Sequence, residues 1–300
     1  MSDIKLFHIS KNKITELEGK SVSVEKSLQD LIETHLDDFL GIKFLVSEYS
    51  TGLKHGGRID TLGIDENNCP VIIEFKRATN ENVINQGLFY LDWLLDHKAE
   101  FQLLVMKKLG NKISDAIEWD NARLICIAGD YTKYDSHAIQ QIKRNIELIR
   151  YKKYDNLMLL ELVNSVSDDS VEIEKPRKTK YKYPTAVELL DKSNVQIKDI
   201  FESIKSFLLA LGDDVVMKEL KKYIAFRKIK NFATIEVQPQ NKSIIIYVKL
   251  DPTTINLEKG YTRDVRKIGH WGTGDLEIRI NSIDAFEKAK SLLLKSYELN

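Results

Sequence analysis

The sequence is poor in cysteine and has no long apolar run. Its 300 residues include two cysteines, Cys69 and Cys126, which do not form a Cys-x-x-Cys pair. This usage excludes a disulfide framework and a thiolate zinc cluster, and it is typical of a reducing cytosol. No apolar stretch approaches the roughly 18 residues that a membrane helix needs, and the N-terminus lacks the apolar region of a signal peptide. We therefore expect a cytoplasmic protein without a membrane partner.

Histidine is also scarce, and the net charge is zero. The six scattered histidines show no ligand spacing such as His-Glu-x-x-His. Residues 1–170 hold 21 basic and 27 acidic side chains, whereas residues 171–300 hold 24 basic and 18 acidic ones. An acidic half suits metal-binding carboxylates and a basic half suits a polyanion, but two ordinary solvated surfaces explain the counts equally well. The charge distribution leaves both interpretations open.

The pattern of apolar residues predicts alternating helices and strands. A short β-hairpin over residues 4–18 precedes helical spacing from Val24 to Leu40. Three strands follow, KFLVSEYS, RIDTLGID and PVIIEFKR. Residues 80–97 and 136–147 show helical spacing again, and the strands ARLICIAG and LMLLELV follow these two segments in turn. This order, with a crossover after the third strand, indicates an α/β fold.

A polar segment over residues 164–184 divides the chain. It contains two prolines and changes from acidic to basic, which predicts an interdomain linker between domains 1–163 and 185–300. Its basic residues alternate with tyrosines and could follow a phosphate backbone, although a plain flexible linker explains them as well. Beyond the linker we expect mainly helix over residues 186–226, then the strands ATIEVQP, SIIIYVKL and DLEIRI, and a closing helix over 283–297. The second domain is therefore a smaller α+β domain.

Two acids and a lysine interrupt stretches that otherwise have the composition of buried strands. Asp60 lies in GGRIDTLGID, and Glu74 and Lys76 lie in VIIEFKR. An ionised carboxylate is costly to bury unless it is paired or binds a metal. The alternation of a strand places Glu74 and Lys76 on one face, and a turn over residues 65–70 places Asp60 on the neighbouring antiparallel strand. A structural ion pair between Glu74 and Lys76 would explain the pattern, and so would half of a catalytic site.

These residue types meet the needs of metal-dependent phosphodiester hydrolysis. Magnesium is usually held by one or two carboxylates plus waters, which Asp60 and Glu74 could supply together with the backbone carbonyl of Phe75. The bound ion lowers the pKa of a water and polarises the phosphate. Lys76, on the same face as Glu74, could orient the water and stabilise developing negative charge.

Further polar residues lie near this pattern. Gln86 and Tyr90 are four residues apart on the next predicted helix, so they share a face. Arg58 and Arg77 flank the acids, where a substrate phosphate would lie. Glu25 falls within an apolar helical stripe, so it is either a charge near the helix N-terminus or a ligand directed inward.

The motifs GGRID, IIEFKRA and QGLFY resemble, in this order, those of the PD-(D/E)xK nuclease superfamily in its RecB-like and NucS-like branch. The resemblance covers about residues 22–128 and implies a restriction-endonuclease-like fold, a central mixed sheet flanked by helices. It implies that the helix acid of the site is Glu25, with Glu33 as the less favoured candidate. The catalytic residues that it implies are Asp60, Glu74, Lys76, Gln86 and Tyr90.

The C-terminal stretch VRKIGHWGTGDLEIRI resembles an uncharacterised bacterial domain that is often joined to such nuclease-like halves. The resemblance implies no activity. His270 and Trp271 lie in a glycine-rich loop, where we expect the tryptophan to dock on the core. Stacking of these rings on a nucleic-acid base is the alternative.

The sequence as a whole predicts a Mg²⁺- or Mn²⁺-dependent deoxyribonuclease, an endonuclease, acting in DNA repair or in defence against foreign DNA. One alternative is a non-catalytic nucleic-acid-binding protein that keeps the nuclease fold, and another is a protein-interaction module. A non-catalytic protein should show little stabilisation by divalent ions, whereas a nuclease should be stabilised by them. Binding to DNA should fall steeply with salt, which separates a nucleic-acid-binding protein from a protein-interaction module. Homo-oligomerisation stays open.

Overall fold

The computed structural model describes residues 4–11, 13–21, 25–52, 56–76, 83–166 and 184–300. The chain divides into two compact units, residues 1–173 and 174–300. Arg77 and most of the predicted linker, residues 167–183, lie outside the described residues. The predicted boundaries at residues 163 and 185 therefore stay a prediction. Within the described ranges, no helix is both long enough and apolar enough to cross a membrane.

The first unit is built on a six-stranded mixed sheet. A separate antiparallel hairpin comes first, formed by β1 (Leu6–Ser10) and β2 (Lys13–Leu17). The sheet strands β3 to β8 are Ile42–Ser50, Arg58–Asp65, Pro70–Lys76, Arg123–Ala128, Asn145–Tyr154 and Leu157–Val166. They lie side by side in chain order; β5, β6 and β7 are parallel, and the remaining pairs are antiparallel.

Within the described ranges, six α-helices accompany this sheet, and they confirm the predicted α/β class with a mixed sheet flanked by helices. Helices α1 to α6 are Glu25–Thr34, Leu36–Leu40, Val83–Asp96, Lys98–Leu109, Asn111–Ser114 and Lys133–Gln140. Helices α3 to α5 form the crossover between the parallel strands β5 and β6. Parallel strands are covered on both faces, which explains why PVIIEFK is buried at every residue except Lys76.

The predicted helix over residues 136–147 is wrong in its second half. Helix α6 ends at Gln140, and residues from Asn145 onward form β7. Ile139, Ile142 and Ile146 are spaced as on a helix, and this spacing misled the interpretation. Strand β7 lies between β6 and β8, whose backbones satisfy its hydrogen-bonding groups on both sides. The pairing in the folded sheet overrides the local pattern.

The second unit is an antiparallel sheet with its longest helices packed on one face. Strands β9 to β14 are Val216–Glu219, Ile224–Arg227, Asn231–Gln238, Ser243–Val248, Thr262–Asp264 and Leu276–Ile280. Helices α7 to α9 are Ala186–Asp191, Val195–Leu209 and Ile283–Leu299. The sheet order is β13-β14-β12-β11-β10-β9. Apolar residues of α8 and α9 pack on the sheet to form the core, which confirms a smaller α+β domain.

Two expectations for the second unit are wrong. Residues 186–226 are helical only as far as Leu209, and the strands β9 and β10 follow. The prediction of helix failed there because these four-residue strands are too short to show a strand alternation in the sequence. Trp271 does not dock on the core, since 54% of its surface is exposed. The ring of His270 stacks on Tyr247 instead, and this contact holds the loop on the sheet.

Candidate active site

The acids lie where the pairing of β4 and β5 ends. The antiparallel register between these strands ends at Thr61 and Ile73, although β4 begins at Arg58 and β5 continues to Lys76. Beyond this point the backbone N–H groups need acceptors other than the neighbouring strand. Because β4 and β5 are antiparallel, the first residues of β4 and the last residues of β5 meet at one edge of the sheet.

Asp60 and Glu74, which we call the acid pair, supply those acceptors. The backbone N–H of Asp60 donates to Glu74 Oε1 at 3.2 Å, and the backbone N–H of Phe75 donates to Asp60 Oδ2 at 2.9 Å. Each carboxylate therefore replaces a missing ladder acceptor for the opposite strand. The other oxygen of Glu74, Oε2, is buried and has no hydrogen-bond partner among the described residues while both acids are ionised; when Glu74 is protonated, its side chain can share the proton with Asp60.

Burial makes the acid pair difficult to ionise. It raises the pKa of Asp60, and it raises the pKa of Glu74 to about 9, with repulsion from the Asp60 carboxylate as the second cause. Backbone hydrogen bonds and the charge of Lys76 act in the opposite direction at both acids. Two adjacent carboxylates with raised pKa values are a typical arrangement for binding a cation, which favours their charged forms.

Lys76 lies beside the helix acid Glu25. Its Nζ atom is 3.5 Å from Glu25 Oε1, and the lysine side chain is only 14% exposed. Glu33 is directed elsewhere, since it accepts hydrogen bonds from Gln29 Nε2 at 2.9 Å and from the Thr61 hydroxyl. The structure therefore brings Glu25, rather than Glu33, to the lysine.

Tyr90 fixes the start of β4. Its hydroxyl oxygen accepts a hydrogen bond from the backbone N–H of Arg58 at 3.1 Å and lies 3.4 Å from Gln86 Nε2. Its ring also covers Gly57 so closely that a Cβ there would be 2.5 Å from the ring. A glycine is needed before Arg58 because a side chain would displace the tyrosine. The structure thus brings Gln86, Tyr90 and Arg58 together next to Asp60.

Glu48 is a further acid next to Asp60, although its place near the end of a strand also suits an ordinary surface charge. It lies on β3 opposite Asp60, between the ladder positions of that strand pair, and its charge contributes to the raised pKa of Asp60. Its carboxylate contacts Arg58 Nε at 2.5 Å and Lys26 Nζ at 3.4 Å. The backbone of Glu48 is left-handed, with φ of +54°, which is uncommon for a residue other than glycine. Counting the strand register back from Asp60 would have indicated its place.

The acid pair suits a metal of the magnesium type. Among the described residues, no three His, Cys, Asp or Glu side chains are grouped as metal ligands. Two carboxylates are nevertheless what a protein commonly offers Mg²⁺, which keeps several of its waters. The unpartnered buried Oε2 of Glu74 is an oxygen donor that a cation would satisfy.

Comparison with known families first classifies the second unit. Residues 186–300 match a domain of unknown function, DUF5655, which confirms the prediction of a C-terminal domain from an uncharacterised family. Over its whole length the chain is similar to an uncharacterised protein of Haemophilus influenzae, with 31% identity over 303 residues that cover 97% of this chain and 98% of the relative. The chain belongs to the same family as that protein.

Two solved structures show weaker similarity. One is a repair endonuclease from Pyrococcus abyssi, with 19% identity over 44% of this chain and a TM-score of 0.29. The other is EndoMS in an EndoMS-dsDNA2 complex, with 15% identity over 49% of this chain and a TM-score of 0.26. The matches span 48% of the first protein's chain and 64% of the second. Scores of this size do not establish a common fold over the whole chain.

Proposed function

We propose that the first unit is a metal-dependent nuclease that hydrolyses phosphodiester bonds of DNA. The acid pair carries this proposal, because it leaves one buried carboxylate oxygen, Glu74 Oε2, without a partner among the described residues. A buried polar atom without a hydrogen bond costs about 1–3 kcal/mol, and more if the group is charged. Without an ion, the raised pKa keeps Glu74 protonated at neutral pH, and a bound cation would take the place of that proton. A site that binds a cation needs the carboxylate.

Asp60 and Glu74 would hold Mg²⁺ or Mn²⁺ together with the Phe75 carbonyl, and Glu25, whose carboxylate faces Lys76 at 3.5 Å, would complete or widen the site. When bound, the ion would lower the pKa of a water and polarise the phosphate. The backbone hydrogen bonds to Asp60 Oδ2 and Glu74 Oε1 keep both carboxylates oriented before any ligand arrives. Such preorganisation avoids a cost of reorientation during the reaction.

Lys76 is the residue that we propose to act on the reacting groups. Its ammonium group lies in a largely buried position on the same strand face as Glu74, with Glu25 as its ion-pair partner. From there it would orient the attacking water and stabilise the negative charge that develops on the phosphate. Removal of such a group reduces the rate by about 100-fold or more.

The other residues of the site would position the substrate. The side chain of Arg58 is 69% exposed at the edge of the site, where its guanidinium could bind a phosphate. Tyr90 holds the backbone of Arg58, and Gln86 lies against the tyrosine hydroxyl. Arg77 is proposed for a similar phosphate contact, from its place in the sequence alone. We further propose internal cleavage of DNA, in repair or defence.

The test is cleavage of labelled single-stranded, duplex, branched and circular DNA by the full chain with Mg²⁺ or Mn²⁺. Wild type is compared with Lys76→Ala and with a matched control, Lys43→Ala, which removes an exposed lysine of the same sheet. We expect Lys43→Ala to cleave like wild type and Lys76→Ala to lose at least about 100-fold in rate. Cleavage of a circular substrate would establish internal cleavage.

Three results would contradict parts of this proposal. Equal cleavage by wild type and Lys76→Ala would place the activity in another site or a contaminant, provided that thermal-unfolding measurements show both proteins to be folded. Binding of DNA without cleavage of any substrate would support the non-catalytic alternative. Cleavage that is undiminished by a chelator would exclude dependence on a metal.

A further inference from the structure

Trp271 is an exposed aromatic residue in the loop between β13 and β14. It exposes 54% of its surface, whereas the large aromatic residues Phe226 and Phe232 of the same unit are fully buried. A tryptophan exposes a large apolar ring with one polar N–H group, a combination that is enriched where proteins bind partners.

The loop holds Trp271 in a defined position. On one side the ring of His270 stacks on Tyr247, with 4.3 Å between centroids and 25° between planes. On the other side the N–H of Thr273 donates to Thr234 Oγ1 at 3.2 Å, and the Thr234 hydroxyl donates to the Thr273 carbonyl at 3.0 Å. These contacts attach both flanks of Trp271 to the sheet, so the loop backbone that carries the ring has little conformational entropy left to lose on binding.

Gly272 makes the second attachment sterically possible. Its φ of +86° is a left-handed conformation that a side chain disfavours. A Cβ at this position would collide with the side chain of Thr234. The glycine therefore permits the loop backbone to lie directly on β11, next to the exposed tryptophan.

Positive charge adjoins the ring. Lys222 Nζ lies 5.7 Å from the centroid of Trp271, within the range of a cation–π contact. Lys222 belongs to the basic segment 221–230, in which Arg227 is buried against backbone carbonyls and Lys228 donates to the Tyr297 carbonyl, so the proposal uses the charge of Lys222. We call Trp271, Lys222 and His270 the tryptophan face.

We propose that the tryptophan face binds an unpaired DNA strand, with a base stacked on Trp271 and the adjoining phosphate near Lys222. Proteins that bind single strands without sequence preference combine aromatic rings with a positively charged track. A duplex keeps its bases stacked on one another, and an acidic protein segment needs the charge but not the flat ring. The choice of DNA over RNA rests on the proposed nuclease function, but the binding itself does not.

The first experiment measures binding of a fluorescent thymidine oligonucleotide of about 12 residues to the full chain in a chelator, where metal-dependent cleavage cannot occur. We expect Trp271→Ala to weaken binding about 10-fold or more and Trp271→Phe to retain most of it. Lys222→Ala should lower the slope of log affinity against log salt by about 0.7. Lys259→Ala, which removes an exposed lysine that precedes β13, is the matched control and should bind like wild type.

A second readout is specific to the ring. The chain has three tryptophans, so quenching of intrinsic fluorescence by an unlabelled oligonucleotide should be large in wild type and absent in Trp271→Phe. An abasic strand of equal length, which keeps the phosphates and lacks the bases, should bind about 10-fold more weakly than the thymidine strand.

The proposal is overturned by equal binding of the abasic strand, by unchanged affinity of folded Trp271→Ala, or by absence of binding to every strand. Tighter binding of the matching duplex also overturns it. Tighter binding of a uridine strand overturns the choice of DNA. Because no metal is present, failure of binding leaves the nuclease proposal intact, and failure of cleavage leaves this one intact.

Discussion

The backbone N–H of Asp60 donates a hydrogen bond to the carboxylate of Glu74 at 3.2 Å, beyond the last ladder pair of their two strands. In the opposite direction, the carboxylate of Asp60 accepts a hydrogen bond from the backbone N–H of Phe75, the residue after Glu74. The same two side chains thus complete the sheet and create a buried, negatively polarised position at its edge. Stability and ion binding should therefore be linked, and this link can be measured.

Divalent ions are expected to stabilise the first unit through the acid pair. An ion present at 100 times its dissociation constant stabilises the folded state by about 2.7 kcal/mol. Thermal unfolding at pH 8 with and without Mg²⁺ or Mn²⁺ measures the effect. Asp60→Asn should lose most of the shift, whereas Asp37→Asn, an exposed acid on α2, should keep it. An equal shift in Asp60→Asn would contradict a site at the acid pair.

Without divalent ions, the stability of the protein should fall as the pH rises. The pKa of Glu74 is about 9 in the folded state and near its ordinary value of 4.5 in the unfolded chain. The folded state therefore binds more protons between these values, so this contribution is complete below pH 4.5 and is lost as the pH approaches 9. The slope is at most about 1.4 kcal/mol per pH unit for one proton.

The variant Glu74→Gln isolates this contribution, because an amide does not titrate. Urea unfolding of wild type and of this variant between about pH 5 and pH 9 gives both curves. We expect the variant to be the more stable protein at alkaline pH and to lack the slope of wild type. Parallel curves would show that Glu74 has an ordinary pKa in the folded state.

Gly57→Ala should destabilise the first unit by roughly 1–3 kcal/mol, because its Cβ would overlap the ring of Tyr90. The double variant with Tyr90→Ala removes the obstacle, so the alanine at position 57 should then cost little. A double-mutant cycle by urea unfolding measures the coupling. Additive effects would mean that the glycine is needed for some reason other than the tyrosine.

The two roles of Glu48, its backbone conformation and its charge, can be separated by two substitutions. Both Glu48→Ala and Glu48→Gly remove the carboxylate that holds Arg58, so both should weaken cleavage. Because Glu48 has φ of +54°, the glycine variant should be about 1 kcal/mol more stable than the alanine variant. Equal stability would indicate that the backbone relaxes, and full activity of both variants would exclude Glu48 from the site.

The strand alternation of the sequence was sufficient to predict where the acid pair and Lys76 lie, because the strands are short, nearly all buried and joined by a clear turn. Strand β7 was missed because its isoleucines continue a helical spacing, and only its two neighbouring strands decide the outcome. The local sequence pattern therefore predicts a strand correctly where a single turn fixes its register, as for β4 and β5. It fails where segments that are distant in the sequence decide between helix and strand, as for β7.

The choice between the two helix acids required three-dimensional information. Glu25 and Glu33 lie on the same helix, and only the packing of α1 shows that Glu25 contacts Lys76 while Glu33 contacts Thr61. The strand register indicates that Glu48 lies opposite Asp60, but its left-handed backbone is visible only in the structure. Exposure of Trp271 likewise depends on Thr234, a residue remote from it in the sequence.

The end of the β4–β5 ladder has a consequence for how relatives of this chain can diverge. Asp60 and Glu74 each accept a backbone N–H, so a descendant that abandoned the reaction would still be penalised for losing either acid. If the proposed hydrolysis were lost in a lineage, the acid pair should therefore outlast it, so that the presence of both acids in a relative does not by itself identify an active nuclease.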